Sequence, residues 1–108
     1  PQAIARVTDH IHRNLGAALT VDRLAVVAGM SRAHFTRRFT AAVGAAPSAH
    51  VRTQRLDRVE RLLLATEMTV TDIAAATGFA DGNYLAKVFR RHRGQSPLDF
   101  RATRAERA

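Results

Sequence analysis

Cysteine and tryptophan are absent from this 108-residue chain, tyrosine occurs once and proline three times. Without cysteine there is no disulfide framework and no thiolate metal site, which suits a reducing cytoplasm and makes that the expected location, on the nucleoid. Phe35, Phe39, Phe79, Phe89 and Phe100 fall on apolar helical faces and with Tyr84 are the only aromatics, too few for a stacking platform that grips single strands. Long hydrophobic runs are missing as well. Leu62-Leu63-Leu64-Ala65 is far shorter than the ~18 residues of a membrane span, and no secretory leader pattern opens the chain. No apolar/polar alternation is long enough to suggest a strand. Nucleophile elbow, phosphate-binding loop and zinc-protease motif are all lacking, so neither catalysis nor a cofactor is expected. The five histidines do not make a metal site either. His10 and His12 diverge on a helix, and no carboxylate pair completes a coordination set.

What the chain has in excess is positive charge: 17 Lys+Arg against 9 Asp+Glu, net +8. A polyanion is therefore the leading class of partner. Lys87 is the one lysine, so nearly all the cations are guanidinium forks, suited to bidentate bonds with phosphate and guanine edges. An arginine-rich genome would explain their number but not their clustering on particular helices.

The clustering follows an internal repeat. Thr20-Val21-Asp22-Arg23-Leu24-Ala25-Val26-Val27-Ala28-Gly29 aligns with Thr69 to Gly78 at a constant offset of 49. Beyond the glycine the offset is 50, pairing Phe39 with Phe89, Gly44 with Gly94 and Pro47 with Pro97. The inserted residue falls in the turn, where insertion is tolerated best. In the second copy Val70, Ile73 and Ala74 mark a short helix, and Gly78 ends it where a C-cap wants φ > 0. Asp81 then caps a second helix, from about Gly82 to His92, with Leu85, Val88 and Phe89 as its apolar stripe. A short helix, a glycine turn and a helix with a basic outer side are the parts of a DNA-reading helix-turn-helix.

Ile4, Val7, Ile11 and Leu15 predict a helix from Gln2 to Leu15. In the first copy, Ser31 caps a helix through about Ala42 that packs through Phe35 and Phe39. A long helix from Ser48 to about Ala65 follows, with Val51, Leu56, Val59, Leu62 and Leu63 inward. Its ~27 Å length at ~1.5 Å per residue compares with the ~34 Å between successive major-groove faces. Ser96, Pro97 and Asp99 start a seventh helix, and Arg101 to Ala108 is expected to fray. The expected fold is thus all-α, seven helices. The expected domains are a first helix-turn-helix subdomain (1–47), a linking helix (48–66) and a second subdomain (67–108).

In order and spacing, Leu24-Ala25, Ala28-Gly29-Met30-Ser31, Phe35, Arg37, Phe39, Gly44, Pro47, Arg55-Leu56, Ile73-Ala74, Gly78-Phe79, Asp81, Tyr84, Lys87, Phe89, Gly94, Ser96-Pro97 and Phe100-Arg101 resemble the DNA-binding domain of AraC/XylS-family transcription regulators, over nearly the whole chain. The resemblance implies two recognition helices in adjacent major grooves on one face of double-stranded DNA. By position, Arg32, Ala33, Thr36 and Arg37 would read bases from the first helix, and Gly82, Asn83, Ala86 and Lys87 from the second. Val59 stands where the family usually has alanine, and Leu85 where it usually has phenylalanine.

Arg37 fits a bidentate bond to guanine O6 and N7, against a phosphate-only contact; Asn83 fits adenine N6 and N7, against a helix-start role. His34, Arg38, Arg90, Arg91 and Arg93 read as phosphate contacts, which position the duplex and make binding salt-sensitive. Arg52, Arg55, Arg58 and Arg61 read as an exposed face with local ion pairs to Asp57 and Glu60. The expected function is sequence-specific regulation of bacterial transcription, with RNA polymerase as a further partner. The alternative is a basic interaction module, recruiting polymerase or a regulatory domain, that touches DNA only non-specifically. The chain begins with Pro1, and a carboxy-terminal piece of a longer regulator with an effector-binding domain is the expectation.

Overall fold

The computed structural model describes residues 2–107. In chain order the helices are α1 (Gln2–Arg13), α2 (Val21–Ala28), α3 (Arg32–Val43), α4 (Pro47–Ala65), α5 (Val70–Thr77), α6 (Gly82–Arg93) and α7 (Pro97–Arg107). Among the described residues there is no strand, so the all-α expectation holds. Two compact units divide the chain, Pro1–Gln54 and Arg55–Ala108, and α4 contributes its first half to one and its second half to the other.

In the first unit, Ile4, Val7 and Ile11 of α1 pack with Leu24 and Ala25 of α2, Phe35 and Phe39 of α3, and Val51 of α4. Phe35 and Phe39 are fully buried, their ring centroids 5.5 Å apart. Each such side chain contributes ~1.5–3 kcal/mol relative to an exposed one. The second unit repeats the plan. Leu56, Val59 and Leu63 of α4 pack with Ile73, Ala74, Phe79, Leu85, Phe89 and Phe100. Thr77 is the polar residue of this core. Its hydroxyl donates to the Ile73 carbonyl at 2.7 Å, so its burial leaves no polar atom unsatisfied.

Caps set the helix starts that aim the later surface. The Arg23 N–H donates to Thr20 Oγ1 and the His34 N–H to Ser31 Oγ, both at 3.2 Å. In the second copy, Asp72 N–H donates to Thr69 Oγ1 at 3.1 Å and Tyr84 N–H to Asp81 Oδ1 at 2.8 Å. Gly29 and Gly78 end α2 and α5 at φ +70° and +84°, a left-handed conformation that strains any residue with a Cβ. The next residues close both turns, Met30 N–H to Ala25 O and Phe79 N–H to Ala74 O, each at 3.0 Å. These six-to-one bonds satisfy helix-end carbonyls.

Two details depart from the sequence expectations. Pro47, expected as a breaker before the helix, is the first residue of α4; its fixed φ suits a first turn. The tail expected to fray from Arg101 is helical to Arg107, while Ala108 lies outside the described residues. The cause is tertiary. Phe100 is buried edge-on against Phe89, centroids 5.5 Å apart, and the Arg101 guanidinium bonds three carbonyls at the end of α4 and beyond.

His50 on α4 meets the Phe39 ring edge-on at 5.4 Å, and burial lowers its pKa from the usual 6.5. The folded unit therefore favours the neutral ring, and the unfolded chain binds a proton more readily. The His50 contribution is complete above 6.5 and is lost as pH falls from there through the lowered folded value. Denaturant melts should accordingly show the wild type losing more stability than His50→Gln between pH ~7 and ~5. Equal losses would mean that the ring is not held neutral.

Candidate nucleic-acid interface

Helix α3 is held by Phe35 and Phe39 on its inner side. At 100° per residue, positions 32, 36, 33 and 37 then share one arc of about 140° that starts beside Phe39 and ends at Arg37, opposite the core. Arg32, Ala33 and Arg37 are exposed and Thr36 is half-buried. Arg32 is tethered, its Nη1 3.4 Å from Asp22 Oδ1 on α2, and both side chains stay wet, so the pair contributes little. The Thr36 hydroxyl donates to the Arg32 carbonyl at 2.9 Å, which directs it back along its own helix. Arg37 has no bonded partner among the described residues. Its five donors face water from a rigid helix. His34 and Arg38 are exposed on the flank of the same arc.

Helix α6 is set the same way by Leu85 and Phe89. Asn83 and Lys87 are exposed and Ala86 is half-buried. Arg90 continues their arc one turn on, and Arg91 stands beside it, both exposed. The last turn of α6 holds Arg90, Arg91, His92 and Arg93, cations placed where the helix dipole is negative and favours them.

Two residues expected on this surface are occupied elsewhere. Arg93, expected at phosphate, is ion-paired with Asp57 at 3.1 Å and with Glu60; only 23% of its side chain is exposed. It ties α6 to α4. The carboxylates expected to pair locally along α4 thus meet a cation from another helix, and Arg55 and Arg58 of the supposed open face are half-buried. Gly82, expected to read a base, packs against α5. A Cβ there would lie 3.2 Å from Thr71 Oγ1 and 3.4 Å from its Cα, so glycine permits the close approach of the two helices.

The structure adds Tyr84, 54% exposed, its ring leaning on Phe79 with centroids 6.3 Å apart. It shares the flank of α6 with Arg91, seven residues on. The repeat offset of 50 pairs it with His34, and that signal was present in the sequence. Arg101 carries part of the family resemblance, but its bonds to the Leu63, Thr66 and Met68 carbonyls leave no local sequence signal, because those partners are far away in the chain.

No helix among the described residues is long and apolar enough to cross a membrane. A family model described as a helix-turn-helix domain matches residues 24–103. The chain is 36% identical over 81 residues to the transcriptional regulator MtrA of Neisseria gonorrhoeae, 75% of this chain and 27% of that one. It is 28% identical over 101 residues to a helix-turn-helix regulator of Staphylococcus aureus, 94% of this chain but 14% of the relative, so it spans a small part of such proteins. Among solved structures it is similar to the DNA-binding domain of AdpA in complex with a target DNA, with 35% identity and TM-score 0.93 over 97% of this chain and 95% of that one. It is also similar to an AraC-type regulator from Chromobacterium violaceum, with 28% identity and TM-score 0.87 over 99% and 96% of the two chains.

Proposed function

The chain belongs to the AraC-type helix-turn-helix family of DNA-binding transcription regulators, not a family of enzymes, and on that premise we propose that it reads double-stranded DNA by sequence through both units. Each unit lays its recognition helix, α3 or α6, in a major groove. The observation that carries this is one surface occurring twice: a helix start fixed by a capping oxygen, an aromatic-backed inner side and an exposed polar arc. The DNA bound in the AdpA structure supports the same use here.

In this reading Arg37 forks onto a guanine, Asn83 pairs with an adenine, and Arg32, Thr36 and Lys87 add contacts beside them. Ala33 and Ala86 offer methyl contact only. His34, Arg38, Arg90 and Arg91 meet phosphate, while Arg93 keeps α6 on α4. In the whole regulator the DNA-bound units act beside RNA polymerase and under an effector-binding domain, in the cytoplasm.

Titration of labelled duplexes tests this. Arg91→Ala should weaken specific and random duplexes to a similar extent and make the slope of log K against log salt shallower by about 0.9. Wild-type affinity for a selected duplex over random DNA at fixed salt should exceed ~1000-fold. A ratio near one would instead favour a basic interaction module.

A further inference from the structure

Gly82 and Ala86 carry too little side chain to bond a base, yet they do not leave a bare helix. With Asn83 of α6, Val70 of α5, and Pro97 and Leu98 of α7 they line an open groove of about 430 Å³. Leu98 is 61% exposed, a large apolar side chain that no core claims. Its backbone is fixed, because the Asp99 N–H donates to Ser96 Oγ at 3.0 Å and Pro97 beside it is buried. The close approach of Gly82 to Thr71 sets the opposite edge. The groove therefore has a defined lining, apolar at Val70, Ala86, Pro97 and Leu98 and polar at Thr71, Asp81, Asn83 and Ser96, and it opens on the polar arc of α6. At the positions matching Gly82, Ala86 and Leu98 the first unit has Arg32, Thr36 and Ser48, all polar.

We propose that this groove receives the 5-methyl group of a thymine, with Ala86 and Leu98 as its walls, so that the second unit selects a T·A pair by apolar contact. The inference rests on α6 entering a major groove. The thymine methyl is the one apolar group that the four bases display there. With only a methyl at Ala86, the backbone of α6 can come close to it. Asn83 at the rim then has an adenine edge within the same element to pair with. The first unit, polar at all three positions, has no such groove lining and reads chiefly by the hydrogen bonds of Arg37 and its neighbours.

The test is selection of bound duplexes from two randomised pools, one with thymine and one with deoxyuridine throughout, followed by titration of the winners. In the thymine pool the second element should contain a fixed T, and replacing that T by deoxyuridine should weaken binding about fourfold, the effect of one buried methyl. Leu98→Ala, at an exposed position, should fold normally and reduce that penalty to under about twofold. The first element should emerge alike from both pools. Indifference of the second element to deoxyuridine, or an unchanged penalty in Leu98→Ala, overturns the thymine site while leaving sequence reading intact. Failure to enrich any sequence overturns the reading itself, and the site with it.

Discussion

Replacing Arg37 by alanine should remove ~1–3 kcal/mol of discrimination at a single G·C pair, a loss of preference of roughly 5-fold to 150-fold there. Arg37 stands exposed on α3, and the buried Phe35 and Phe39 fix the orientation of that helix. Unlike Arg32, it has no carboxylate to leave before it can reach a base. Little ordering energy is therefore needed from the helix, and the planar fork matches guanine O6 and N7. Arg37→Lys separates charge from shape. It should hold the salt dependence of the wild type yet lose most of the preference, because a point charge cannot form two parallel bonds. Titrations of a selected duplex and its single-pair variants check both. Sequence preference untouched in Arg37→Ala would remove α3 from the role assigned to it.

Arg101→Ala should destabilise the second unit by about 2–3 kcal/mol, since it strands carbonyls that a charged donor had satisfied. Nε bonds the Leu63 carbonyl at 2.9 Å, and Nη2 bonds those of Thr66 at 3.2 Å and Met68 at 2.9 Å. Helix ends leave their last four carbonyls without partners, and one guanidinium here serves the end of α4 and the loop into α5. Losing it frees the segment that leads into Thr69, the cap of α5. Arg101→Lys should recover only part of the loss, because an ammonium cannot span three acceptors in that geometry. Denaturant unfolding by circular dichroism measures this, and the variants should lose the second DNA element before the first. A change under ~0.5 kcal/mol, ordinary for a surface substitution, would show the three bonds to be incidental.

The helices were legible because their signals are local. Apolar spacing, capping oxygens at Thr20, Ser31, Thr69, Asp81 and Ser96, and glycines after α2 and α5 each act within one turn. Helix phase alone also put Arg37, Asn83 and Lys87 on exposed arcs. What was not legible depended on partners distant in sequence. Arg93 looked like another surface cation until the fold brought Asp57 and Glu60 to it. Gly82 looked like a reading position because its neighbour Thr71 belongs to the preceding helix. Arg101 looked like tail because its acceptors are backbone atoms, which carry no residue code at all. Leu98 drew no notice since its isolation becomes visible only when α5, α6 and α7 start beside one another.

The most direct test of the central claim, that both units read sequence, is selection from a randomised pool of ~25 base pairs, long enough for two major-groove elements, at near-physiological salt. The account predicts two short unlike elements in the bound duplexes, the first of which loses its fixed G·C pair when Arg37→Ala is used instead of the wild type. Salt-sensitive binding with no enriched element, in wild type and variant alike, would contradict it.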